Sequence, residues 1–382
     1  MDMKKPLENV RVLDLSRYMA GPFCGKILAD LGAEVIKIEA PWGEESRFRP
    51  PLTRGLSATF MEFHRGKKGM TINLKKEKGV KIFKELVKHA DVVLENYRAG
   101  TMDRLGIGYE TLKEINPKII LASITGFGQY GPRAKRPSFD ILGQATSGFM
   151  AVMGQSIDPE GPPILVPEAP GDSIPGTYCA LSIIAALYWR QFTGRGQRID
   201  IAQQDVMMYI TPSIAMYLLT GMTGPDLRRK IGTDIPGVYG SFKAKDGYVA
   251  LAAPMGPVLD RLVKAFGRDS VDRGFIEEWV RSCTVDQVVS KLVEADVPVS
   301  PIFTVPEVIE DQHASVREMI VEVEHPQAGK VKVVGIPMKF SETPCRVEGP
   351  SPLLGQHNEE ILTSLLGYSK EEVVELKKEG VI

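Results

Sequence analysis

Short apolar and β-branched runs alternate with helical patterns through the first half of the chain. Five of these runs predict strands, at residues 10–15, 34–39, 91–95, 119–124 and 198–201, and the first of them is predicted to be buried. Between them, residues 77–89 place Val80, Phe83, Leu86 and Val87 on one face of an amphipathic helix. Alternating strands and helices are typical of a parallel sheet that is covered by helices on both faces. The pattern therefore predicts an α/β fold with a doubly wound parallel sheet.

The second half of the chain has a different organisation. Apolar helices are predicted at residues 140–155, 173–189 and 205–219. Residues 223–234 are polar and rich in glycine and proline, as expected of a linker. A strand at 248–252 opens a second segment that contains several helical patterns, and two helices are predicted to close the chain at Asn358–Leu366 and Lys370–Lys378.

Length and charge narrow the possible partners. A chain of 382 residues is long enough for two domains with sizeable cores. It carries 47 basic and 48 acidic side chains, so its formal net charge is −1. The basic runs at 64–68 and 133–136 are short, whereas a nucleic-acid binder usually shows a basic stripe or domain. We expect no nucleic-acid partner.

The cysteines and histidines do not form a metal-binding pattern. The four cysteines lie far apart without a C-x-x-C pair, and the five histidines lack the spacing of metal ligands. Such spacing argues against a zinc site or a disulfide framework and is typical of a reducing compartment. The first residues form no apolar signal core, and no apolar stretch of about 18 residues follows. We expect a cytoplasmic protein without metal, tightly bound cofactor or membrane partner.

A G-x-G-x-x-G string lies at Gly126, Gly128 and Gly131, directly after the strand predicted at 119–124. A dinucleotide site requires a helix to begin at the last glycine, so that backbone amides face the pyrophosphate. Pro132 and a basic loop follow instead. The string therefore disfavours a nicotinamide site.

Asp172 lies between Gly171 and Ser173, at the beginning of the helix predicted at 173–189. On spacing alone, the favoured interpretation is a helix N-cap. The alternative is a covalent nucleophile, because a helix N-terminus stabilises an ionised carboxylate and a flanking glycine admits a ligand. Ionised carboxylates are competent nucleophiles, so both interpretations stay open at this point.

Three glycines, Gly232, Gly237 and Gly240, precede the strand predicted at 248–252. An ordinary hairpin leading into that strand is the favoured interpretation. The alternative is a mobile lid over a reactive intermediate.

Motifs along nearly the whole chain occur in the order of one known family. They lie at residues 12–15, 20–22, 31–39, 91–96, 103–106, 120–131, 171–173, 193–197, 354–357, 365–369 and 380–382. The chain resembles the class III CoA-transferases, a family similar to formyl-CoA transferase. The resemblance implies transfer of CoA from an acyl-CoA thioester to a free carboxylic acid, through an aspartyl anhydride and an aspartyl-CoA thioester.

The same resemblance implies an architecture. Members form an interlocked homodimer, in which a Rossmann-like large domain holds both termini and a smaller α+β domain is inserted. Residues 1–205 would form the first part of the large domain, and 206–224 a linker helix. Residues 225–325 would form the small domain, and 326–382 the return to the large domain.

The resemblance also implies a site, with Asp172 as the nucleophile and coenzyme A as a co-substrate. The residues that match CoA contacts are Ile72, Lys75, Asn96 and Arg104. Those that match the thioester end and the acyl pocket are Tyr18, Met19 and Phe139. Backbone amides near Gly171, or a lid that carries Gly232, Gly237 and Gly240, would stabilise the oxyanions.

Two rival functions remain. An α-methylacyl-CoA racemase of the same fold pairs its aspartate with a histidine, and Phe139 occupies that position here. Phenylalanine cannot transfer a proton, which favours CoA transfer unless Asp140 takes the histidine's role. The other rival is a catalytically silent CoA-binding subunit of a hetero-oligomer.

Some positions depart from formyl-CoA transferase. Ala40 and Pro41 stand where that enzyme has an arginine after its second strand, so the adenine contacts differ. Met19 replaces a glutamine, and Phe139 replaces an aromatic hydroxyl. Both changes make the acyl pocket less polar, and we expect an acid that is larger or more apolar than formate or oxalate.

Overall fold

The computed structural model of the protein describes residues 5–158, 160–226 and 237–382. They form two compact units. The first comprises Met1–Thr223 with Glu318–Ile382, and the second comprises Gly224–Arg317. Gly232 and most of the predicted linker at 223–234 lie outside the described residues.

The first unit is built around a parallel sheet, as the alternating pattern predicts. The strands up to residue 202 are β1 (Arg11–Asp14), β2 (Glu34–Glu39), β3 (Leu52–Thr53), β4 (Leu56–Ser57), β5 (Lys68–Thr71), β6 (Val92–Glu95), β7 (Ile120–Thr125) and β8 (Arg198–Ala202). Strands β3 and β4 form a separate two-stranded ribbon. The six-stranded sheet has the order β5-β2-β1-β6-β7-β8, and every pair in it is parallel. This order is that of the doubly wound Rossmann fold.

Helices cover both faces of this sheet. The helices between β1 and the second unit are α1 (Ala20–Asp30), α2 (Ala58–His64), α3 (Glu77–Val87), α4 (Thr101–Arg104), α5 (Tyr109–Ile115), α6 (Asp140–Thr146), α7 (Phe149–Ile157), α8 (Pro170–Thr193), α9 (Gln203–Tyr209) and α10 (Pro212–Thr220). Because side chains alternate along a strand, Leu13 packs into one core with α3, while Val12 packs into the opposite core with α1 and α8.

Two predicted helices are each divided in the structure. The helix predicted at 140–155 breaks at Gly148, whose φ of 81° lies in the left-handed region and ends the helical path. The helix predicted at 205–219 breaks before Pro212, which has no N–H to continue the hydrogen-bond ladder and instead begins α10.

The second unit has its own antiparallel sheet and core. Strands β9 (Val238–Lys243), β10 (Tyr248–Ala253) and β11 (Val299–Pro301) pair in the order β11-β10-β9. The helices of this unit are Pro257–Ala265, Arg273–Arg281, Val285–Glu294, Val305–Glu310 and Gln312–Val316. Val249, Leu262 and Ile276 belong to its buried core, which is separate from those of the first unit.

The last part of the chain returns to the first unit. Strands β12 (Ile320–His325) and β13 (Gly329–Val334) pair as a hairpin, so the return begins at Glu318, earlier than residue 326. The helices Asn358–Leu366 and Lys370–Lys378 have the predicted bounds. Their buried residues Ile361, Leu362 and Val373 pack into the same core as Leu13. No helix in the described ranges is long and apolar enough to cross a membrane.

Candidate active site

A cleft lies at the carboxyl ends of the central strands. Strand β2 lies on one side of β1 and strand β6 lies on the other side. The strand order therefore reverses between β1 and β6. Ligands of open α/β sheets bind at such switch points. A cleft of about 330 Å³ occupies this position, and its lining includes Tyr18, Met19, Asn96, Phe139 and Asp172.

Asp172 lies in the first turn of α8, not at its N-cap. The N-cap is Ala169, whose φ of 49° is left-handed, and Pro170 opens the helix. The N-cap interpretation of Asp172 is therefore wrong. The carboxylate is half-buried and lines the cleft, where its Oδ1 accepts a hydrogen bond from another element.

That donor is Gln203, the first residue of α9, directly after β8. Its Nε2 donates to Asp172 Oδ1 at 2.5 Å. Its Oε1 accepts a hydrogen bond from the Ser138 hydroxyl at 2.9 Å. Because Ser138 occupies the acceptor end of the amide, the donor end faces the carboxylate.

Glycines allow these groups to pack closely. A Cβ on Gly126 would overlap the side chain of Ser138, and one on Gly171 would lie 2.5 Å from the Asp140 carbonyl oxygen. A Cβ on Gly143 would lie 3.0 Å from the Cβ of Gln203. Gly126, the first glycine of the G-x-G-x-x-G string, therefore makes room for Ser138.

Burial dominates the electrostatics of Asp172. Burial and the neighbouring charge of Asp140 raise the pKa of Asp172 to about 7, against the lowering effects of the Gln203 hydrogen bond and the charge of Arg49. Burial also raises the pKa of Asp140. Desolvation of the Asp172 carboxylate therefore opposes the stabilisation that the helix N-terminus gives to its ionised form.

The loop after β1 carries Tyr18 and Met19 to the cleft. Tyr18 has a φ of 63°, a left-handed conformation that costs a bulky residue roughly 1–2 kcal/mol. The loop is held by Asn96, whose Oδ1 accepts from the Arg17 N–H at 2.8 Å and whose Nδ2 donates to the Arg17 carbonyl at 2.7 Å. The Tyr18 ring meets Phe139 edge to face, with 5.6 Å between ring centroids.

Beneath this loop lies a buried network of charges. Lys67 Nζ bonds Asp14 Oδ2 at 2.8 Å, and Lys37 Nζ bonds Glu44 Oε2 at 2.9 Å. His64 Nε2 lies 3.2 Å from Glu44 Oε1. Burial and the charge of Lys67 lower the pKa of His64 to about 4, so its ring is neutral at pH 7. The network therefore contains two carboxylates and two ammonium groups, whose charges balance.

The same network anchors the loop. Lys67 Nζ also donates to the Pro22 carbonyl at 3.0 Å, and Lys37 Nζ donates to the Ser16 carbonyl. The Ser16 N–H donates to Asp14 Oδ1 at 2.9 Å. Hydrogen bonds to the buried Lys67, Lys37 and Asp14 therefore fix the backbone on both sides of Tyr18.

A second cleft adjoins the first. It has a volume of about 510 Å³ and includes Ile72, Lys75 and the exposed Trp42, while Arg17 and Tyr97 line both clefts. The Lys75 ammonium lies 6.0 Å from the centroid of the Trp42 ring. The two adjoining clefts thus have an aromatic, cationic end at Trp42 and Lys75 and a carboxylate end at Asp172.

The predicted site residues are therefore divided among several places. Asp172, Tyr18, Met19, Asn96 and Phe139 share the first cleft, and Gly171 adjoins it in α8. Ile72 and Lys75 line the second cleft, whereas Arg104 lines a neighbouring open groove together with Lys75. Gly237 directly precedes β9 and Gly240 lies within it, in the second unit. Strand β9 pairs with β10, as the hairpin interpretation predicts, and the lid stays a prediction.

Gln203 and Ser138 were not predicted from the sequence. One available signal was that Gln203 directly follows β8, at the same sheet edge as Asn96 after β6. Among the described residues, no group of three or more His, Cys, Asp or Glu side chains is placed to hold a metal ion.

The fold and the cleft define an α/β enzyme with a half-buried carboxylate at the switch point of its sheet. Residues 7–358 match the CoA-transferase family III, and the chain belongs to this family; it is a CoA-transferase. It is 35% identical to the succinyl-CoA–D-citramalate CoA-transferase of Chloroflexus aurantiacus, over 99% of this chain and 98% of that protein. It is 34% identical to the formyl-CoA:oxalate CoA-transferase of Streptomyces coelicolor, over 99% of each protein. The crystal structure of a CaiB/BaiF family protein from Brucella suis superposes with a TM-score of 0.81, at 30% identity, and covers 94% of this chain and 99% of that one.

Proposed function

We propose that the protein moves CoA from an acyl-CoA thioester to a free carboxylic acid, with Asp172 as the covalent nucleophile. The observation that carries this proposal is the position of the Asp172 carboxylate. It lines the cleft at the switch point, and Gln203 holds one of its two oxygens. We therefore assign the attack on the thioester carbonyl to the other oxygen of Asp172, Oδ2.

The reaction proceeds by exchange at two carbonyl carbons. Asp172 Oδ2 attacks the thioester carbonyl, the C–S bond breaks, and a mixed anhydride and CoA thiolate result. The thiolate attacks the Asp172 carboxyl carbon, and the first acid leaves as a carboxylate. A second carboxylate then reverses these steps and leaves as its CoA thioester. A carboxylate suits this role because it both attacks and departs readily.

The two adjoining clefts suit the two ends of acyl-CoA. The nucleotide end would lie in the second cleft, near Trp42, Ile72 and Lys75, and the thioester would reach Asp172 past Tyr18. Arg104, beside Lys75, would meet a phosphate. Amides near Gly171, or the lid with Gly232, Gly237 and Gly240, would stabilise the oxyanion on the substrate carbonyl, and closure would keep water from the anhydride.

The less polar acyl pocket favours acids that are larger or more apolar than formate or oxalate. Phe139 is 60% exposed and packs against Tyr18, so its ring is available to a bound acyl group. Met19 lines the same cleft. A branched acid gains contact with both side chains, whereas oxalate leaves them without a partner.

The proposed assembly is an interlocked homodimer. Exposed apolar side chains support it, among them Leu181, Tyr188 and Phe192 on α8, and Leu218 and Leu219 on α10, the last of which is 85% exposed. Large exposed apolar patches often mark protein–protein interfaces. Sedimentation should give a dimer that the Leu218→Lys, Leu219→Lys variant weakens, while Val374→Lys, at another exposed apolar site, leaves the dimer intact.

One observation favours a second candidate, an acyl-CoA racemase or isomerase. The Asp140 charge acts on Asp172, and the pKa of each carboxyl is raised. Two carboxyl groups with raised pKa values can serve as the general base and the general acid that move an α-proton. Deuterium at the α-carbon of a 2-methylacyl-CoA in D₂O, without exchange of CoA, is the result that this candidate predicts.

Incubation of the purified chain with an acyl-CoA and a mixture of free acids tests the main proposal. New acyl-CoAs, detected by mass spectrometry, should form with wild type and with Asp158→Asn, an exposed carboxylate outside the cleft. They should be absent with Asp172→Ala. Binding of CoA without any product, in a chain tested alone, would instead identify a silent subunit that requires a partner.

A further inference from the structure

The proposed reaction creates oxyanions in two different places. When the substrate carbonyl is attacked, the negative charge develops on the substrate. When CoA thiolate attacks the Asp172 carboxyl carbon, an S–C bond forms and the carbonyl electron pair moves onto Asp172 Oδ1. The electron pair on Oδ1 then re-forms the carbonyl bond. The bond from the carboxyl carbon to Oδ2 breaks, and the acid departs with Oδ2. The second oxyanion therefore forms on the enzyme, and its donor must be fixed beside Asp172.

Gln203 occupies that position. Its side-chain amide already donates to Asp172 Oδ1 at 2.5 Å, and the residue is only 5% exposed. The Ser138 hydroxyl donates to Gln203 Oε1 at 2.9 Å and so fixes the orientation of the amide. A donor that is oriented before the charge develops needs little reorganisation, which is the condition for strong oxyanion stabilisation.

Three other polar side chains, Asn96, Asp140 and Arg49, are less suited to this role than Gln203. Both ends of the Asn96 carboxamide bond the Arg17 backbone. Asp140 is a carboxyl group whose ionised form repels an oxyanion, and its Oδ2 accepts from Gln144 at 2.7 Å. Arg49 is exposed and acts on Asp172 through its charge.

We propose that Gln203 is the oxyanion donor for attack on the Asp172 carboxyl carbon, with Ser138 as the residue that positions its amide. This inference rests on the proposed function, in which Asp172 carries the anhydride and the thioester. Gln203 is then a catalytic residue for the formation and breakdown of the aspartyl-CoA thioester. Attack on the substrate carbonyl uses other donors.

Rapid quenching with intact-protein mass spectrometry tests the proposal. With wild type and an acyl-CoA alone, the protein should gain the mass of CoA less one water molecule at Asp172, because the acid departs with Oδ2. In Gln203→Leu this gain should slow roughly 10²–10³-fold, and the ratio of acyl adduct to CoA adduct should rise. Ser138→Ala should give a smaller loss with the same change of ratio. Gln204→Leu is the matched control, because that amide contacts Met208 and Arg133 instead, and it should keep the wild-type rate.

The pH dependence separates the proposed role from a simpler one. If Gln203 only favours the ionised form of Asp172, then Gln203→Leu regains its rate at alkaline pH, and this recovery overturns the proposal. A deficit that persists there supports it. An unchanged adduct ratio also overturns it.

Folding and the underlying mechanism are checked independently. CoA affinity, measured by calorimetry, and the melting temperature should stay near wild type in Gln203→Leu. If that variant does not fold, Gln203→Met and Ser138→Ala carry the same test. No CoA adduct on wild type, under conditions of active exchange, contradicts the proposed function itself rather than the role of Gln203.

Discussion

Asn96 binds the backbone of Arg17 through both ends of its carboxamide, with 2.8 Å from the Arg17 N–H to Oδ1 and 2.7 Å from Nδ2 to the Arg17 carbonyl. These bonds hold the loop in which Tyr18 adopts a left-handed φ of 63°. Asn96 therefore shapes the cleft by fixing this loop.

Asn96→Ala should destabilise the CoA-free protein by roughly 1–3 kcal/mol, since two partly buried hydrogen bonds are lost. It should also lower kcat/KM for acyl-CoA, because Tyr18 is released. Denaturant melts without CoA measure the first effect. Unchanged stability with weaker CoA binding would show that Asn96 acts instead by contacting CoA.

Lys67→Met should destabilise the fold by about 3–5 kcal/mol, because it leaves the buried Asp14 carboxylate without its ion partner. Lys78→Met is a matched control: its pair with Glu379 is exposed, and its loss should cost less than about 1 kcal/mol. Chemical unfolding of both variants compares them. Equal effects would show that the buried network does not support the loop.

The protonation of Asp172 should control the pH profile. Its pKa of about 7 is raised, so the attacking carboxylate is lost as pH falls, and kcat/KM should rise through about pH 7. Asp140→Asn removes a negative neighbour that raises this pKa, and the midpoint should move to lower pH. A midpoint that stays in place or moves upward would contradict the assigned coupling.

Acid preference should depend on Phe139 and Met19. The double variant Met19→Gln, Phe139→Tyr restores the polar groups of formyl-CoA transferase and should raise the kcat/KM ratio of oxalate to 2-methylbutyrate roughly tenfold or more. Competition between the two acids, read by mass spectrometry, gives this ratio directly. An unchanged ratio would mean that other residues select the acid.

Much of the sheet was predictable, because strands buried on both faces form nearly continuous apolar runs. The runs at 91–95 and 119–124 were recognised for this reason. Strand β5 was missed, since its Lys68 and Gly69 interrupt the pattern at the edge of the sheet. Helix lengths were overestimated where Gly148 and Pro212 interrupt apolar segments.

The site was only partly predictable. Asp172 was indicated by its motif, whereas Gln203 and Ser138 are 65 positions apart and meet only through the fold. The raised pKa of Asp172 depends on burial by other elements, which spacing along the chain does not reveal. The CoA contact expected of Asn96 stays a prediction, and the bonds of its carboxamide to the Arg17 backbone were not foreseen.

The most direct test of the central claim follows an oxygen atom. Wild-type protein is incubated with an acyl-CoA and an acceptor acid labelled with ¹⁸O in its carboxylate, then digested, and the peptide that contains Asp172 is weighed. The covalent mechanism predicts ¹⁸O in the Asp172 carboxylate, because the incoming acid leaves one oxygen on the enzyme at each turnover. Formation of the new acyl-CoA without label in that peptide would contradict Asp172 as the nucleophile.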